Sequence, residues 1–328
     1  MSGNHNQSLD RALAIVDAAA KAGAHALKLQ TYTAETMTID IEGDGFSITD
    51  SDSLWKGQNL YKLYQKAHTP WEWHKPLFKR CRKLGMIGFS TPFDSTAVDF
   101  LEDLDNPAYK IASFENTDIP LIKKVAATGK PIIISTGMAS VADLDETIRT
   151  ARECGCRDIV LLKCTSSYPA TPEGSNICTI PHMRDLFSVQ VGLSDHTLGI
   201  GVPLAAIAMG ATVIEKHFTL SRADGGVDSA FSLEPKELAL LVAESERAWQ
   251  AQGQITYGMG GQEKKSRQFR RSLYIIQDMK SGDVLTEKNL RAIRPGYGLA
   301  TKYLDTLLGK RISRNVLRGT PFDWSILG

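Results

Sequence analysis

Short apolar runs alternate with helical segments along most of the chain, and no other feature of the sequence restricts the possible folds as much. Seven runs rich in Val, Ile and Leu lie at 26–30, 86–91, 108–113, 131–136, 158–164, 189–193 and 212–217. Helical periodicity fills the intervals at 71–84, 95–103, 120–128, 141–154, 180–186, 201–209 and 235–250. Pro120 suits a first helical turn, and Ser140 suits the cap before Val141. Strand and helix in strict alternation predict a parallel α/β architecture. Near-continuous apolar strands predict a sheet covered on both faces.

The chain opens on a helix. Leu9, Leu13, Val16 and Ala20 fall on one face, with Ser8 or Asn6 as the cap. Counting it gives eight helical crossovers but seven strands. A (β/α)8 TIM barrel needs one more strand, which belongs just before "SGNHN". The expectation is therefore a barrel whose chain starts at the top of strand one, through a late start or a truncation. The competing architecture is an open doubly wound sheet that never had that strand; the count and the even spacing favour the barrel. From about Tyr257 the pattern changes. "YGMGGQEKKSRQFRRSLY" is Gly-rich and then basic, as a linker is. Beyond it come short strand-like pieces with turns at Ser281-Gly282-Asp283 and Pro295-Gly296. The expected organisation is a barrel domain at 1–256, a linker at 257–272 and a small β-rich domain at 273–328.

Composition narrows the function classes. A net charge of +1 gives no global pull toward nucleic acid or a membrane surface. No apolar run approaches the roughly 20 residues of a membrane span, and no signal-peptide pattern opens the chain. The five cysteines, Cys81, Cys154, Cys156, Cys164 and Cys178, are scattered, and Cys154-Gly-Cys156 has no second pair at zinc-site spacing. They read as reduced thiols of a cytoplasmic protein, mostly in core or near-core packing.

In a barrel, chemistry sits at the C-terminal ends of the strands. Those ends carry Lys28 and Gln30; Ser90 and Thr91; Lys110, Ser113 and Glu115; Ser135, Thr136 and Gly137; Lys163 with Thr165, Ser166, Ser167 and Tyr168; Ser194, Asp195 and His196; and Glu215, Lys216 and His217. Lysines and hydroxyls in this number suit an anionic substrate bearing phosphate or carboxylate. A lysine within an apolar strand is costly unless it finds a partner. Lys28 and Lys110 read as functional; for Lys163 and Lys216 a strand-end ion pair and a functional role both stand open. His196 and His217, on adjacent strand ends, suit a divalent metal completed by water or a carboxylate. His25, His68, His74 and His182 have no such companion and read as surface or packing residues, while His5 is left open. Gly258–Gly261 and the basic stretch from Lys264 to Arg271 read as linker and solvated hinge rather than phosphate or nucleic-acid sites. The loop from Asp224 to Asp228 either reaches the site or is a plain turn.

These residues resemble the sialic acid synthase family, and within it the pseudaminic acid synthase branch. The likeness runs through "SGNHN", "KLQTY", "FSTPFD", "YKIASFENTDIPLI", "ISTGMAS", "KCTSSYP", "GLSDHTLG", "EKHFTL" and "RPGYG". The resemblance implies a metal-dependent barrel followed by an antifreeze-like (SAF, β-clip) domain, acting as a homodimer in which the small domain reaches the partner's site. It implies condensation of phosphoenolpyruvate with an open-chain amino sugar and release of phosphate. By the same resemblance His196 and His217 hold the metal, manganese first, with magnesium or cobalt as alternatives. Lys28, Lys110, Ser113, Ser135 and Ser194 grip phosphoenolpyruvate. Gln30, Thr91, Glu115, Ser166, Tyr168 and Asp228 line the substrates, Lys28, Lys110 and Glu115 with a catalytic part, and Arg294 is the arginine lent to the other subunit's sugar.

Three departures from the family pattern matter. The strand ending in Ala-Glu, whose glutamate lies near the metal, is expected before Met1. Ser166 stands where sialic acid synthases carry Asn, and Asp228-Ser229 where they carry Asp-His. The last two point toward a 2,4-diacetamido-trideoxy sugar and nonulosonic acid for surface or flagellin decoration. A sialic or legionaminic acid synthase, a class I aldolase using a strand-end lysine, and a non-catalytic carbohydrate- or phosphate-binding protein are the rival readings. The chain as written is expected to be less stable and less active than one extended upstream, because an absent strand leaves two unpaired edges. Equal melting temperature and turnover for the two would refute that expectation.

Overall fold

The computed structural model describes residues 1–328 except Asp44, Asp52, Met259 and Gln262, so one position of the Gly258–Gly261 run lies outside the described residues. The chain divides into two compact units, Met1–Gly253 and Gln254–Gly328.

In the first unit, seven parallel strands are described: β1 (Ala26–Thr31), β2 (Ile87–Pro92), β3 (Tyr109–Ile111), β4 (Ile132–Ser135), β5 (Ile159–Cys164), β6 (Gln190–Asp195) and β7 (Ile214–Lys216). Each pairs with its neighbour in sequence, in the order β1 to β7. A doubly wound sheet would reverse its strand order at a switch point. No reversal occurs here, so the sheet curls in one direction, as a TIM barrel does. A 3-10 turn at Ser2–His5 spans the C-terminal ends of the two edge strands. The Met1 amine donates to the Lys28 carbonyl (3.1 Å) and the Asn4 amide to the Phe218 carbonyl (2.9 Å).

Among the described residues of this unit, ten helices accompany the strands: α1 (Leu9–Lys21), α2 (Ala34–Met37), α3 (Leu60–Ala67), α4 (His74–Lys83), α5 (Ser95–Glu102), α6 (Ile119–Ala126), α7 (Val141–Glu153), α8 (Thr179–Phe187), α9 (Gly201–Ala208) and α10 (Pro235–Gln252). The caps agree with the sequence. Ser8 accepts from the Arg11 amide, and Ser140 forms a reciprocal capping box with Asp143. The face of α1 differs from expectation by one position. Ala12, Ile15, Val16 and Ala19 are the buried set. The helix expected at 71–84 begins as a 3-10 turn, Trp71–Trp73; Pro76 has no N–H with which to continue an α-helix from Trp71. The strand expected at 108–113 stops at Ile111, where the chain turns into a 3-10 turn at Ser113–Glu115. Helices α2 and α3, and a hairpin between them bridged at Ser47 and Asn59, were not legible in the sequence.

Strand register sorts the lysines. In a parallel sheet, paired residues point to the same face and the face alternates along each strand. Lys28, Gln30, Thr91, Lys110, Ser135, Cys164, Ser194 and Glu215 share the inner face. Lys163 and Lys216 fall on the outer face. Lys216 Nζ lies 2.8 Å from Asp195 Oδ2, its register partner on β6, and both side chains are 2% exposed. Lys216 also donates to the Thr197 carbonyl, while the Thr197 amide and hydroxyl donate to Asp195. Lys163 donates to the Cys164 carbonyl at 3.1 Å. The expected ion pair is found for Lys216, whereas Lys163 lies against a backbone carbonyl and the Thr165 hydroxyl.

The second unit is built on an antiparallel pair, β8 (Ser272–Ile275) and β9 (Leu290–Ile293), extended by bridges at Tyr274–Pro321, Met279–Val316, Val284–Arg311 and Ile312–Leu327. Its own core includes Leu273, Ile275, Leu285, Leu307, Phe322 and Ile326. Gly298 of "RPGYG" packs so closely that a Cβ would lie 2.2 Å from the Leu273 carbonyl oxygen. Among the described residues, no helix is long and apolar enough to cross a membrane.

Removing one partner of a buried pair strands the other charge, at a cost of about 3–5 kcal/mol. Lys216→Met is expected to lower unfolding stability by about that amount, read from urea denaturation. A variant as stable as the wild type would show that the pair does not hold β6 against β7.

Candidate active site

The inner face of the curled sheet gathers charge at one point. Glu215 Oε1 on β7 lies 2.9 Å from Lys28 Nζ on β1 and 3.6 Å from Lys110 Nζ on β3. Ser194 on β6 donates to the same oxygen (3.1 Å), and Lys110 donates to Ser135 on β4. Burial works to raise the Glu215 pKa, but the two ammonium groups outweigh it and hold the carboxyl well below its usual range. Burial, helped by Lys28 and opposed by Glu215, brings Lys110 down to about 8. Two ammonium groups share one carboxylate, so the floor of the site keeps positive charge for an anion.

His196 and His217 stand one alternation further along β6 and β7, with ring centroids 5.3 Å apart. His196 Nδ1 donates to the Thr165 carbonyl (2.9 Å), which in the neutral ring leaves a lone pair on Nε2. His217 Nδ1 lies 3.1 Å from Ser2 Oγ and 3.7 Å from Asp228 Oδ2. Burial and the neighbouring His196 push His217 well below its ordinary pKa, so it stays neutral. Burial also raises Asp228. No group of three or more His, Cys, Asp or Glu among the described residues is close enough to hold a metal ion. Two oriented imidazoles fit a divalent ion whose remaining positions fall to water or substrate. Tyr168 packs 4.5 Å from His196 and 5.3 Å from Phe231, walling one side of the pair.

Two polar atoms here are buried without a partner, Thr91 Oγ1 and Glu115 Oε2. Such orphans are costly unless a ligand satisfies them. Burial and then Asp118 raise Glu115 to about 7. Ser113 accepts from the Gly137 amide (3.2 Å), and a Cβ on Gly137 would lie 2.1 Å from Ser166 Oγ. Only glycine lets Ser113 and Ser166 close over the end of β4. Gln30 sits half-buried at the end of β1. Arg294 is exposed in the second unit, just after β9.

Cys164, one of five cysteines expected mostly in core or near-core packing, is buried and lies on the inner face. Burial pushes its thiol up, but His196 outweighs this and brings it down to about 7. The same contact raises His196 against the effect of burial. The available signal was phase: Cys164 pairs with Ser194 across β5 and β6. His74 is fully buried, facing the Thr31 hydroxyl (2.8 Å), and His5 is buried near Thr69, so both are packing residues.

The NeuB family model matches residues 15–257, and the SAF domain model matches 270–327. The pseudaminic acid synthase of Helicobacter pylori is 42% identical over 324 residues, covering 98% of this chain and 95% of that protein. The N,N'-diacetyllegionaminic acid synthase of Campylobacter jejuni is 34% identical, covering 95% of this chain and 94% of that one. Among solved structures, the N-acetylneuraminic acid synthetase of Leptospira borgpetersenii in complex with citrate superposes with a TM-score of 0.70 at 32% identity. That match covers 80% of this chain and 86% of the other.

Sulfate keeps its double charge across the neutral range, so the pH dependence of its binding comes from the protein's own groups. Comparison with Lys110→Met separates Lys110 from Glu115 and Cys164, both near 7. Sulfate affinity is expected to weaken as pH rises through about 8, measured by calorimetry between neutral and mildly alkaline pH. Constant affinity across that range would show that Lys110 does not carry the anion.

Proposed function

The chain belongs to the NeuB family, and from that premise we propose that it is a pseudaminic acid synthase. The reaction condenses phosphoenolpyruvate, water and the open-chain form of 2,4-diacetamido-2,4,6-trideoxy-β-L-altropyranose. C3 of phosphoenolpyruvate bonds to the aldehyde carbon, whose oxygen becomes a hydroxyl. Water adds at C2, and the tetrahedral intermediate expels phosphate to leave pseudaminic acid. The observation that carries this reading is the convergence of Lys28 and Lys110 on Glu215, on the same inner face as the His196–His217 pair. It puts an anion-binding floor next to a pair of metal-binding imidazoles.

In this reading Lys28, Lys110, Ser113, Ser135 and Ser194 hold the phosphate and carboxylate of phosphoenolpyruvate. Fixing both anionic groups aims C3 of the substrate at the sugar aldehyde and removes the orientational cost of attack. The Lys110 ammonium, screened from water, also stabilises phosphate as it leaves. His196 and His217 would hold a divalent ion, manganese in the first instance, which would supply Lewis-acid chemistry when bound. Gln30, Thr91, Glu115, Ser166, Tyr168 and Asp228 contact the substrates. Glu115, whose pKa lies near 7, is suited to exchange a proton with the sugar. The second unit is the antifreeze-like domain, at 273–328 beyond a linker at 257–272, and the protein works in the cytoplasm as a homodimer. Arg294 serves the partner's sugar; a guanidinium keeps its charge and offers paired donors.

One feature favours a second reading. A buried lysine brought down to about 8 is a better amine nucleophile, as a class I aldolase requires. Borohydride trapping of a substrate adduct, with activity that survives chelation, would support it.

The test is incubation with phosphoenolpyruvate, manganese and either the diacetamido-trideoxy sugar or N-acetylmannosamine, following phosphate release and product mass. Product from the first sugar, lost on chelation and restored by manganese, is expected. Product from N-acetylmannosamine alone would move the protein to the sialic acid branch.

A further inference from the structure

The stretch between α2 and α3 folds into a hairpin. Ile48 and Gln58 are hydrogen-bonded (2.9 Å), Gly57 donates back to Ile48 (2.8 Å), and Leu60 donates to Phe46 (2.9 Å). The hairpin is polar and largely exposed, yet it carries a half-buried tryptophan, Trp55. The Trp55 indole N–H donates to the Val227 carbonyl at 3.0 Å, the residue next to Asp228. Its ring lies 5.8 Å from that of Tyr168, tilted by 55°. Tyr168 in turn packs on His196 and Phe231.

Trp55, Tyr168 and Phe231 therefore form one aromatic row beside the imidazole pair. The Trp55 N–H is already bonded to backbone, so what the residue offers a ligand is its apolar ring. The Trp55 amide bonds to Ser53 Oγ and its carbonyl accepts from the Gln58 amide, which fixes the residue on the hairpin. Rigid aromatic surface of this kind suits methyl groups, and pockets set specificity by pairing such walls with a few polar contacts.

We propose that Trp55 is a specificity-determining residue, forming with Tyr168 the apolar wall that receives the methyl groups of a deoxy, acetamido-substituted sugar. This rests on the proposed function and identifies the part of the chain that favours such sugars over more hydroxylated ones. A sugar carrying a C6 methyl and a second acetamido group loses apolar contact when the wall is cut back. N-acetylmannosamine, with hydroxyls at C6 and C4, loses less. One methyl in an apolar pocket is worth roughly 10–200-fold in discrimination.

The experiment uses the full chain as wild type, Trp55→Ala and Trp55→Phe. Binding of the diacetamido-trideoxy sugar, N-acetylmannosamine and phosphoenolpyruvate is measured by calorimetry with manganese present, and turnover is followed in parallel. Trp55→Ala is expected to weaken binding of the diacetamido-trideoxy sugar at least about 10-fold and to leave phosphoenolpyruvate affinity unchanged. Discrimination against N-acetylmannosamine narrows, and Trp55→Phe retains most of the wild-type affinity. The proposal is overturned by unchanged sugar binding in Trp55→Ala, by equal losses for sugar and phosphoenolpyruvate, or by a wild type that does not bind the deoxy sugar. A wild type that binds this sugar but forms no product counts against turnover by the chain as written, while the binding comparison still tests the wall.

Discussion

A single carboxylate, that of Glu215, holds together groups from β1, β3, β6 and β7. It contacts Lys28, Lys110 and Ser194 at once. Lys28 belongs to one edge strand of the curled sheet and Glu215 to the other, so their contact joins its two ends across the interior. Desolvating these charges is expensive, and the low-dielectric attraction among them offsets the cost only while all the partners stay in place. The same arrangement serves binding. Two cations around one anion leave a net positive charge, and burial, with Lys28 beside it, depresses the pKa of Lys110 despite Glu215.

Above this floor the site is organised by alternation. Ser194 leads to His196 and Glu215 to His217, each two residues on and on the same face. The intervening Asp195 and Lys216 point outward and pair with each other. The buried pair fixes β6 against β7 from behind and thereby sets the spacing of the imidazoles in front. Structural and functional charge are thus interleaved on the same strands, residue by residue. The orphaned Thr91 and Glu115 atoms lie on the functional side, where a ligand would satisfy them.

Much of this was legible in the sequence. All seven strands were expected close to where they lie, and the caps at Ser8 and Ser140 followed from local hydrogen-bonding chemistry. The errors have physical causes. Ser113 sits in a turn because the strand before it ends early, where apolar composition gives no boundary. Helices α2 and α3 are short and interrupted by a polar hairpin, so no window of residues shows a sustained period. Trp55 carries no local signal, since its partners Tyr168 and Val227 lie far along the chain.

The amino-acid sequence determined the alternation of strand and helix, and with it a parallel sheet whose strand ends bear lysines, hydroxyls and two histidines. Those features are local, because periodicity, caps and composition are written within a few residues of one another. Which lysine faces substrate and which faces a structural partner was decided only by tertiary structure, as were the placement of Cys164 beside His196 and the arrival of Trp55 at the aromatic wall. A strand's faces alternate with a period of two, so a shift of one residue exchanges inside for outside. The phase is set by pairing with neighbouring strands that are distant in sequence.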